Sequence, residues 1–250
     1  PENNMQVIPG CENDYAHISQ TGFFYTVRGT KQETVIFCGD RWAEFAGNGS
    51  GYNQWCPLSF DGDIPYFNSL NSWYLNAMTG EWSVADDNNF VINPSFEADR
   101  KPMPSTVKPV QTRLSGWETT VIKGTAISLD PASPVLNHEN SQADRKVVTG
   151  ERSLNISDRA DFIRKVHQMI SSSPYVKLKN GYYILTAKVK NSDGFHFLEM
   201  YASSGGKNLN VRIQDKNETW KTISIDRVKV TGNEIEIGFL AEGKEGASCQ

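Results

Sequence analysis

Two short stretches that lie close together carry the residue types with the most evident chemistry. Residues 39–42 read Gly-Asp-Arg-Trp, and residues 51–58 read Gly-Tyr-Asn-Gln-Trp-Cys-Pro-Leu. They place an acid, a base, amides and two tryptophans around a loop rich in glycine and asparagine. An aromatic face stacks on the C–H face of a sugar ring, while charged and amide side chains supply the donors and acceptors that its hydroxyls need. The pattern is typical of carbohydrate recognition.

Composition alone leaves a structural interpretation of the same residues open. Neighbouring Asp and Arg side chains commonly brace β-turns, and tryptophans commonly fill cores. On that interpretation Asp40 and Arg41 form a surface pair, whereas Trp42 and Trp55 pack inside the protein.

The elements that must position these residues are predicted to be short β-strands. We expect strands at about residues 22–27, 34–38, 55–60 and 73–84, separated by Gly, Asn, Asp and Pro turn signals. Four such strands make one blade of a β-propeller, and one blade cannot close a ring. The polar run at residues 85–89 is predicted to be the linker that ends this domain at residue 85.

The remaining residues, 86–250, are predicted to form an antiparallel jelly-roll β-sandwich. Residues 183–189, 211–214, 222–225 and 235–239 alternate apolar and polar at period two, and Gly, Asn and Asp turns separate them. The fold class is therefore all-β. Candidate ligand-binding aromatics here are Trp117, Phe195 and Tyr201; Phe195, Phe197 and Tyr201 share a parity. Core packing is the alternative for all of them.

Charge and cysteine usage exclude some kinds of site. The chain has 250 residues, a net charge of −4 and no clustered Lys or Arg, so we expect no nucleic-acid interface. No membrane span is predicted, and we expect a monomer whose partner is a neutral poly- or oligosaccharide. The cysteines lack C-x-x-C spacing, so no metal site is predicted. Cys38 and Cys56 either form a bridge or stay buried free thiols.

Residues 13–82 resemble the last blade of the five-bladed β-propeller of glycoside hydrolase family 43, in its exo-β-1,3-galactanase-like branch. The matching motifs are Ser19-Gln20-Thr21, the Gly-Asp-Arg-Trp strand end at 39–42 and the Tyr-x-x-Trp-x-Pro-Leu strand at 52–58. The resemblance implies inverting hydrolysis in which Gln20 positions water, with the general acid, a Glu, on an earlier blade. The substrate-binding residues that it implies are His17, Asp40, Arg41, Trp42, Gln54 and Trp55.

Residues 88–250 resemble carbohydrate-binding modules of the family 4/9/22 kind. The match begins with the Phe-Val-Ile-Asn-Pro-Ser-Phe-Glu opening at 90–97 and continues through Gly116-Trp117, the 150–156 segment and the 181–190 strand. Such modules imply a structural Ca²⁺ near residues 93–97, although the closing Asp-Asp pair is absent here; no other cofactor is expected. The sequence stops at 247–250, where the closing strand of such a domain is expected to begin, so we expect the last strand to be missing.

Together these features predict the C-terminal portion of a secreted or periplasmic glycoside hydrolase that acts on galactan or arabinogalactan, with an appended carbohydrate-binding module. The first residues are polar and include no signal-peptide core, so the chain resembles a processed piece. We expect it to be inactive alone, because no acid in it matches the general acid. The alternative is a non-catalytic carbohydrate-binding or adhesion module. Convergence of His17, Gln20, Asp40 and Trp55 on one cleft would favour the enzyme.

Overall fold

The computed structural model describes residues 8–10, 19–41, 52–94, 96, 116–125, 135–136 and 153–250. These residues form antiparallel β-sheets, none of them closed, and no helix, so the all-β prediction is confirmed. The chain divides into two compact units. The first comprises residues 1–93 and 174–176, and the second comprises residues 94–173 and 177–250.

The first unit is built on a sheet whose strands follow one another in chain order. Its strands are β1 (Ser19–Arg28), β2 (Glu33–Arg41), β3 (Tyr52–Asp61) and β4 (Ile64–Phe67), and they pair in the order β1-β2-β3-β4. A separate two-stranded hairpin follows, formed by β5 (Trp73–Leu75) and β6 (Trp82–Val84).

The prediction of one fourth strand over residues 73–84 was wrong. The fourth strand of the sheet is β4, which follows β3 through a tight turn at Gly62, where φ is 59°. Residues 73–84 instead fold back on themselves. The side-chain oxygen of Asn76 accepts hydrogen bonds from the backbone N–H groups of Met78 and Thr79 at 3.0 and 3.1 Å. An asparagine that bonds its own following backbone stabilises a turn rather than a continuous strand.

One face of the four-stranded sheet carries the core of the first unit. The buried side chains are Phe37, Cys56, Leu58 and Phe67. The rings of Phe37 and Phe67 lie edge to face with centroids 5.1 Å apart, a favoured aromatic geometry. Alternate residues of β2 and β3 therefore face this core.

Cys38 and Cys56 are free thiols, which confirms one of the two alternatives and makes the bridge wrong. Register explains why, because Cys38 lies opposite Trp55 and Cys56 lies opposite Phe37. Residues directly opposite share a face of the sheet, whereas Cys38 and Phe37 are consecutive and point to opposite faces. The two thiols therefore lie on different sides of the sheet.

The second unit consists mainly of two five-stranded antiparallel sheets. Its strands are β7 (Glu118–Lys123), β8 (Val135–Leu136), β9 (Leu154–Ser157), β10 (Phe162–Ser171), β11 (Gly181–Asn191), β12 (Phe195–Ser204), β13 (Lys207–Arg212), β14 (Asn217–Val230), β15 (Glu234–Gly243) and β16 (Ser248–Cys249). The first sheet has the order β13-β12-β15-β10-β7, and the second has the order β14-β11-β16-β9-β8. Alternate residues of β10 are buried, as the inner face of a sandwich requires.

One strand of the second unit differs from expectation, and the end of the chain adds a short strand. The strand predicted at 211–214 lies earlier, as β13, because the Gly205-Gly206 pair has positive φ angles of 56° and 74° and closes a tight hairpin with β12. The last residues of the chain also form a strand, since β16 lies between β11 and β9. Gln250 exchanges both backbone hydrogen bonds with Lys190, at 2.8 and 2.7 Å.

The polar run at residues 85–89 is a packed turn of the first unit. Asn88 is buried, and its side-chain oxygen accepts hydrogen bonds from the backbone N–H groups of Asn71 and Ser72 at 3.1 and 3.3 Å. The Ser72 hydroxyl donates to Asp87 at 2.6 Å. These bonds tie the run to the start of the hairpin, and the division between the units falls at residues 93 and 94.

Candidate functional site

The residues singled out in the first unit meet in part at one end of its sheet. Gln20 lies opposite Asp40 in the register of β1 and β2, and Asp40 lies opposite Asn53 of β3. Trp55 lies two residues beyond Asn53, on the same face. Its side chain is 48% exposed, which leaves ring surface open to solvent.

Gln54, another predicted residue of this unit, does not join that face. Gln54 lies opposite Gly39 and therefore points to the other face of the sheet. Arg41 ends β2, where it pairs with Ser19 and Tyr52. His17 and Trp42 lie outside the described residues.

Two of the three aromatic candidates in the second unit pack against other rings. Trp117 is buried, with its ring centroid 5.5 Å from that of Phe96. Phe195 packs edge to face on the fully buried Phe162 at 6.1 Å. The pairing of β12 with β15 shifts between Phe195 and Phe197, and this irregularity breaks the shared parity that the sequence suggested.

Tyr201 is buried, and it lies on the face of the first sheet opposite to that of Val166 and Met200, in a row that crosses all five strands. The row consists of residues opposite one another on β13, β12, β15, β10 and β7: Asn210, Tyr201, Gly238, His167 and Glu118. An adjacent row on the same face contains Arg212, Glu199, Leu240, Lys165 and Thr120. The polar residues of these two rows, their neighbour Glu236 and Gly238 together form the Tyr201 face.

Tyr201, Glu236 and Lys165 form a connected group. The Tyr201 hydroxyl donates to Glu236 Oε1 at 2.8 Å, and Lys165 Nζ donates to the same oxygen at 2.8 Å. The Lys165 ammonium also lies 5.6 Å from the centroid of the Tyr201 ring, within cation–π range. The carboxylate of Glu236 is therefore held from two sides.

The protonation states of this group follow from burial and its hydrogen bonds. Burial and the neighbouring Glu236 raise the pKa of Tyr201 well above its ordinary value, so the phenol stays a donor. Burial also acts to raise the pKa of Glu236, but the bonds from Lys165 and Tyr201 outweigh it and leave that pKa below the usual value. Glu236 is thus an ionised acceptor.

Glu199 is a second carboxylate on this face, and its environment differs. It is 8% exposed and has no hydrogen-bond or ion-pair partner among the described residues. Arg212 lies opposite it, but the guanidinium donates to the carbonyl oxygen of His196 at 2.8 Å and lies over the Phe197 ring at 5.2 Å. Burial raises the pKa of Glu199, and the charge of Arg212 offsets this in part.

His167 completes the centre of the face. Its Nε2 lies 3.5 Å from a carboxylate oxygen of Glu118. Its Nδ1 is buried and has no hydrogen-bond partner within the described part of the chain. The polar side chains of this face offer hydrogen-bond donors and acceptors side by side. Such an arrangement suits a ligand that carries many hydroxyl groups.

Most of the Tyr201 face was not predicted from the sequence. Tyr201 was a candidate, whereas Lys165, His167, Glu236 and Gly238 were not. One local signal was present, because charged or polar residues alternate with apolar ones in β10 and β15. Alternation shows that one side of each strand is polar, but it does not say which strands lie side by side.

Metal binding has little support in the described residues. No group of three or more His, Cys, Asp and Glu side chains among them is arranged to hold a metal ion. In the segment where calcium was expected, Asn93 is buried with φ of 49°, while Ser95 and Glu97 lie outside the described residues.

No helix of the described chain has the length and hydropathy to cross a bilayer.

Comparison with known proteins gives weak structural likenesses. No protein family and no curated protein matches the chain. The solved structure of TmCBM61 in complex with β-1,4-galactotriose is 19% identical, with a TM-score of 0.47 over 64% of this chain and 92% of that one. Family 16 Carbohydrate Binding Module-2 is 12% identical, with a TM-score of 0.33 over 48% of this chain and 82% of that one.

An enzyme is also among the similar structures. The exo-β-1,3-galactanase from Phanerochaete chrysosporium, with galactose, is 15% identical, with a TM-score of 0.27. The match covers 93% of this chain and 44% of the galactanase, so the chain spans less than half of that enzyme. At these identities and TM-scores the likenesses do not decide what this chain binds.

Proposed function

We propose that the second unit binds a poly- or oligosaccharide through the Tyr201 face. The observation that carries this proposal is a row of polar groups on one sheet face, in which Glu199 keeps a carboxylate with no hydrogen-bond or ion-pair partner within the described chain. His167 Nδ1, which is buried, has no hydrogen-bond partner there either. A sugar hydroxyl both donates and accepts, so it satisfies the Glu199 carboxylate.

Preorganisation supports the same function. Lys165 and Tyr201 hold Glu236 in place before any ligand arrives, and Gly238 leaves space between Tyr201 and His167. A polar site held in its binding geometry loses less side-chain entropy when a ligand binds. Phe197, half buried beneath Arg212, adds an aromatic surface at the edge of the face.

We further propose that the chain is the C-terminal portion of a secreted or periplasmic glycoside hydrolase acting on galactan or arabinogalactan by inversion. The motif resemblance in residues 13–82 motivates this, and the placement of Gln20 opposite Asp40, on the face of Trp55, supports it. In that enzyme the first unit belongs to the catalytic propeller. The second candidate, a non-catalytic carbohydrate-binding or adhesion module, needs only the Tyr201 face.

Calorimetric titration of residues 1–250 with β-1,3-galactotriose and β-1,4-galactotriose tests glycan binding. A Lys165→Met variant keeps the length of the side chain but removes its charge and donors. Because the variant removes the donor that holds the Glu236 carboxylate in its binding geometry, we expect affinity to fall about tenfold or more. The matched control is Lys229→Met, on β14 of the other sheet, and it should bind as the unmodified chain does. Failure of the chain to bind either sugar, or unchanged affinity in Lys165→Met, would contradict the proposal.

A further inference from the structure

We propose that Glu199 makes the Tyr201 face selective for neutral sugars and excludes sugars that carry a carboxylate, such as uronic acids. The inference rests on the proposed function, in which this face binds glycan. Its starting observation is a carboxylate that is 8% exposed and has no hydrogen-bond or ion-pair partner among the described residues. A group with this burial and no partner in the chain takes its hydrogen bonds from whatever enters the site.

The charged and titratable groups around Glu199 come from each neighbouring strand of the sheet. They are Arg212 on β13, Glu236 and Glu242 on β15, Lys165 and His167 on β10, and Glu118 and Lys123 on β7. Together with Glu199, four carboxylates share this face with three Lys or Arg side chains. A neutral hydroxyl entering here donates a charge-assisted hydrogen bond to Glu199, whereas a second carboxylate is repelled.

Neither cation in the row of Glu199 is available to pair with a ligand carboxylate. Lys165 is bound to Glu236 at 2.8 Å, and it covers the Tyr201 ring. Arg212 donates to the His196 carbonyl and lies over Phe197. To pair with one of these cations, an acidic sugar would have to break its existing contacts, and the cost would reduce the free energy of binding. A neutral sugar leaves both in place.

The burial of Glu199 also predicts a cost to stability. Because its pKa is raised in the folded protein, the stability that the protonated form contributes is lost as pH rises through that raised pKa. At neutral pH the ionised side chain therefore opposes folding. Destabilising ionisable groups of this kind concentrate at functional sites. Glu199→Gln should accordingly raise the melting temperature at neutral pH.

The test compares two matched ligands on the full chain: β-1,3-galactotriose and the same trisaccharide oxidised to a carboxylic acid at C6 of its terminal galactose. We expect the unmodified chain to bind the neutral sugar at least tenfold more tightly. In Glu199→Gln this ratio should fall towards one while the melting temperature rises. The control Glu245→Gln, in an exposed loop, should keep the ratio.

The outcomes separate the two proposals. Equal binding of both sugars by the unmodified chain would overturn the inference and leave glycan binding standing, whereas binding of neither would overturn both. An unchanged ratio or a lower melting temperature in Glu199→Gln would overturn the role of the carboxylate in selectivity.

A second test needs no variant and measures the binding ratio of the unmodified chain as a function of pH. Its ratio should shrink as pH falls through the raised pKa of Glu199, and a ratio that does not depend on pH would overturn the inference.

Discussion

At the scale of single residues, Gly238 decides whether the Tyr201 face can form. It lies opposite Tyr201 on one side and His167 on the other. A Cβ atom at this position would lie 2.9 Å from the Tyr201 hydroxyl and 2.9 Å from the His167 Cβ, and it would also meet the carbonyl oxygen of Val166. Because Gly238 has no side chain, the Tyr201 ring can lie over it, and the hydroxyl reaches Glu236 on the same strand.

We predict that Gly238→Ala displaces Tyr201 and breaks its hydrogen bond to Glu236. Overpacking of this kind typically costs about 1–3 kcal/mol, and glycan affinity should fall with it. Gly181→Ala is the matched control, since a Cβ there meets no heavy atom within 4 Å. Urea unfolding and calorimetric titration of both variants measure the effects. A Gly238→Ala protein as stable as Gly181→Ala, with full affinity, would contradict this account of the face.

At the scale of elements, one buried ion pair joins strands of both sheets in the second unit. Arg164 on β10 donates to Asp158, which follows β9, at 2.6 Å, and both side chains have no solvent exposure. Arg164 also donates to the Ser157 carbonyl at 2.9 Å, while the Thr125 hydroxyl, just after β7, donates to Asp158 at 2.7 Å. Three chain segments therefore meet at one carboxylate.

Replacing Asp158 by Asn should destabilise the protein strongly, because it leaves the Arg164 charge buried without its carboxylate. Breaking one side of a buried pair typically costs about 3–5 kcal/mol. Urea unfolding measures this loss, and Asp226→Asn, at an exposed position, should stay within about 0.5 kcal/mol of the unmodified chain. A loss below about 1 kcal/mol for Asp158→Asn would show that the pair contributes little.

The same pair predicts an acid sensitivity. Burial acts to raise the pKa of Asp158, but hydrogen bonds from Thr125 and Arg164 outweigh it and leave that pKa below the ordinary value. A lowered folded-state pKa contributes stability above the unfolded value, and this stability is lost as pH falls through the folded value. The Asp158→Asn variant should lack this part of the acid dependence.

At the scale of the whole molecule, the chain combines two units that carry different candidate sites. The first unit carries Gln20, Asp40 and Trp55 at one end of a four-stranded sheet. The second unit carries the Tyr201 face. Inverting hydrolysis needs a general acid and a water-activating group on opposite sides of the scissile bond, and the motif resemblance assigns the acid to another blade.

We therefore expect residues 1–250 to bind galactooligosaccharide without hydrolysing it. Incubation with β-1,3-galactotriose, followed by chromatography for free galactose, is the measurement. A heat-denatured sample of the same chain is the control for background hydrolysis. Release of galactose above that background would show that the chain contains a working acid, and it would require a new assignment of catalytic residues.

Local features of the sequence were enough to predict the fold class and several strands. Period-two alternation and Gly, Asn and Asp turns depend on residues close together in the chain, and β11, β14 and β15 lie where that alternation occurs. Free thiols at Cys38 and Cys56 stayed one of two alternatives. The sequence also pointed to Tyr201, as one of three aromatic residues that share a parity in the sequence.

Only the tertiary structure decided which residues share a face. Tyr201, His167 and Gly238 lie on three different strands, and register across the sheet brings them into one row. Backbone hydrogen bonds that join strands do not depend on side-chain identity, and a slip of one residue would turn each side chain to the opposite face. Register therefore placed Cys38 and Cys56 on opposite faces, turned Phe195 towards the buried Phe162 and assembled the polar groups around Gly238.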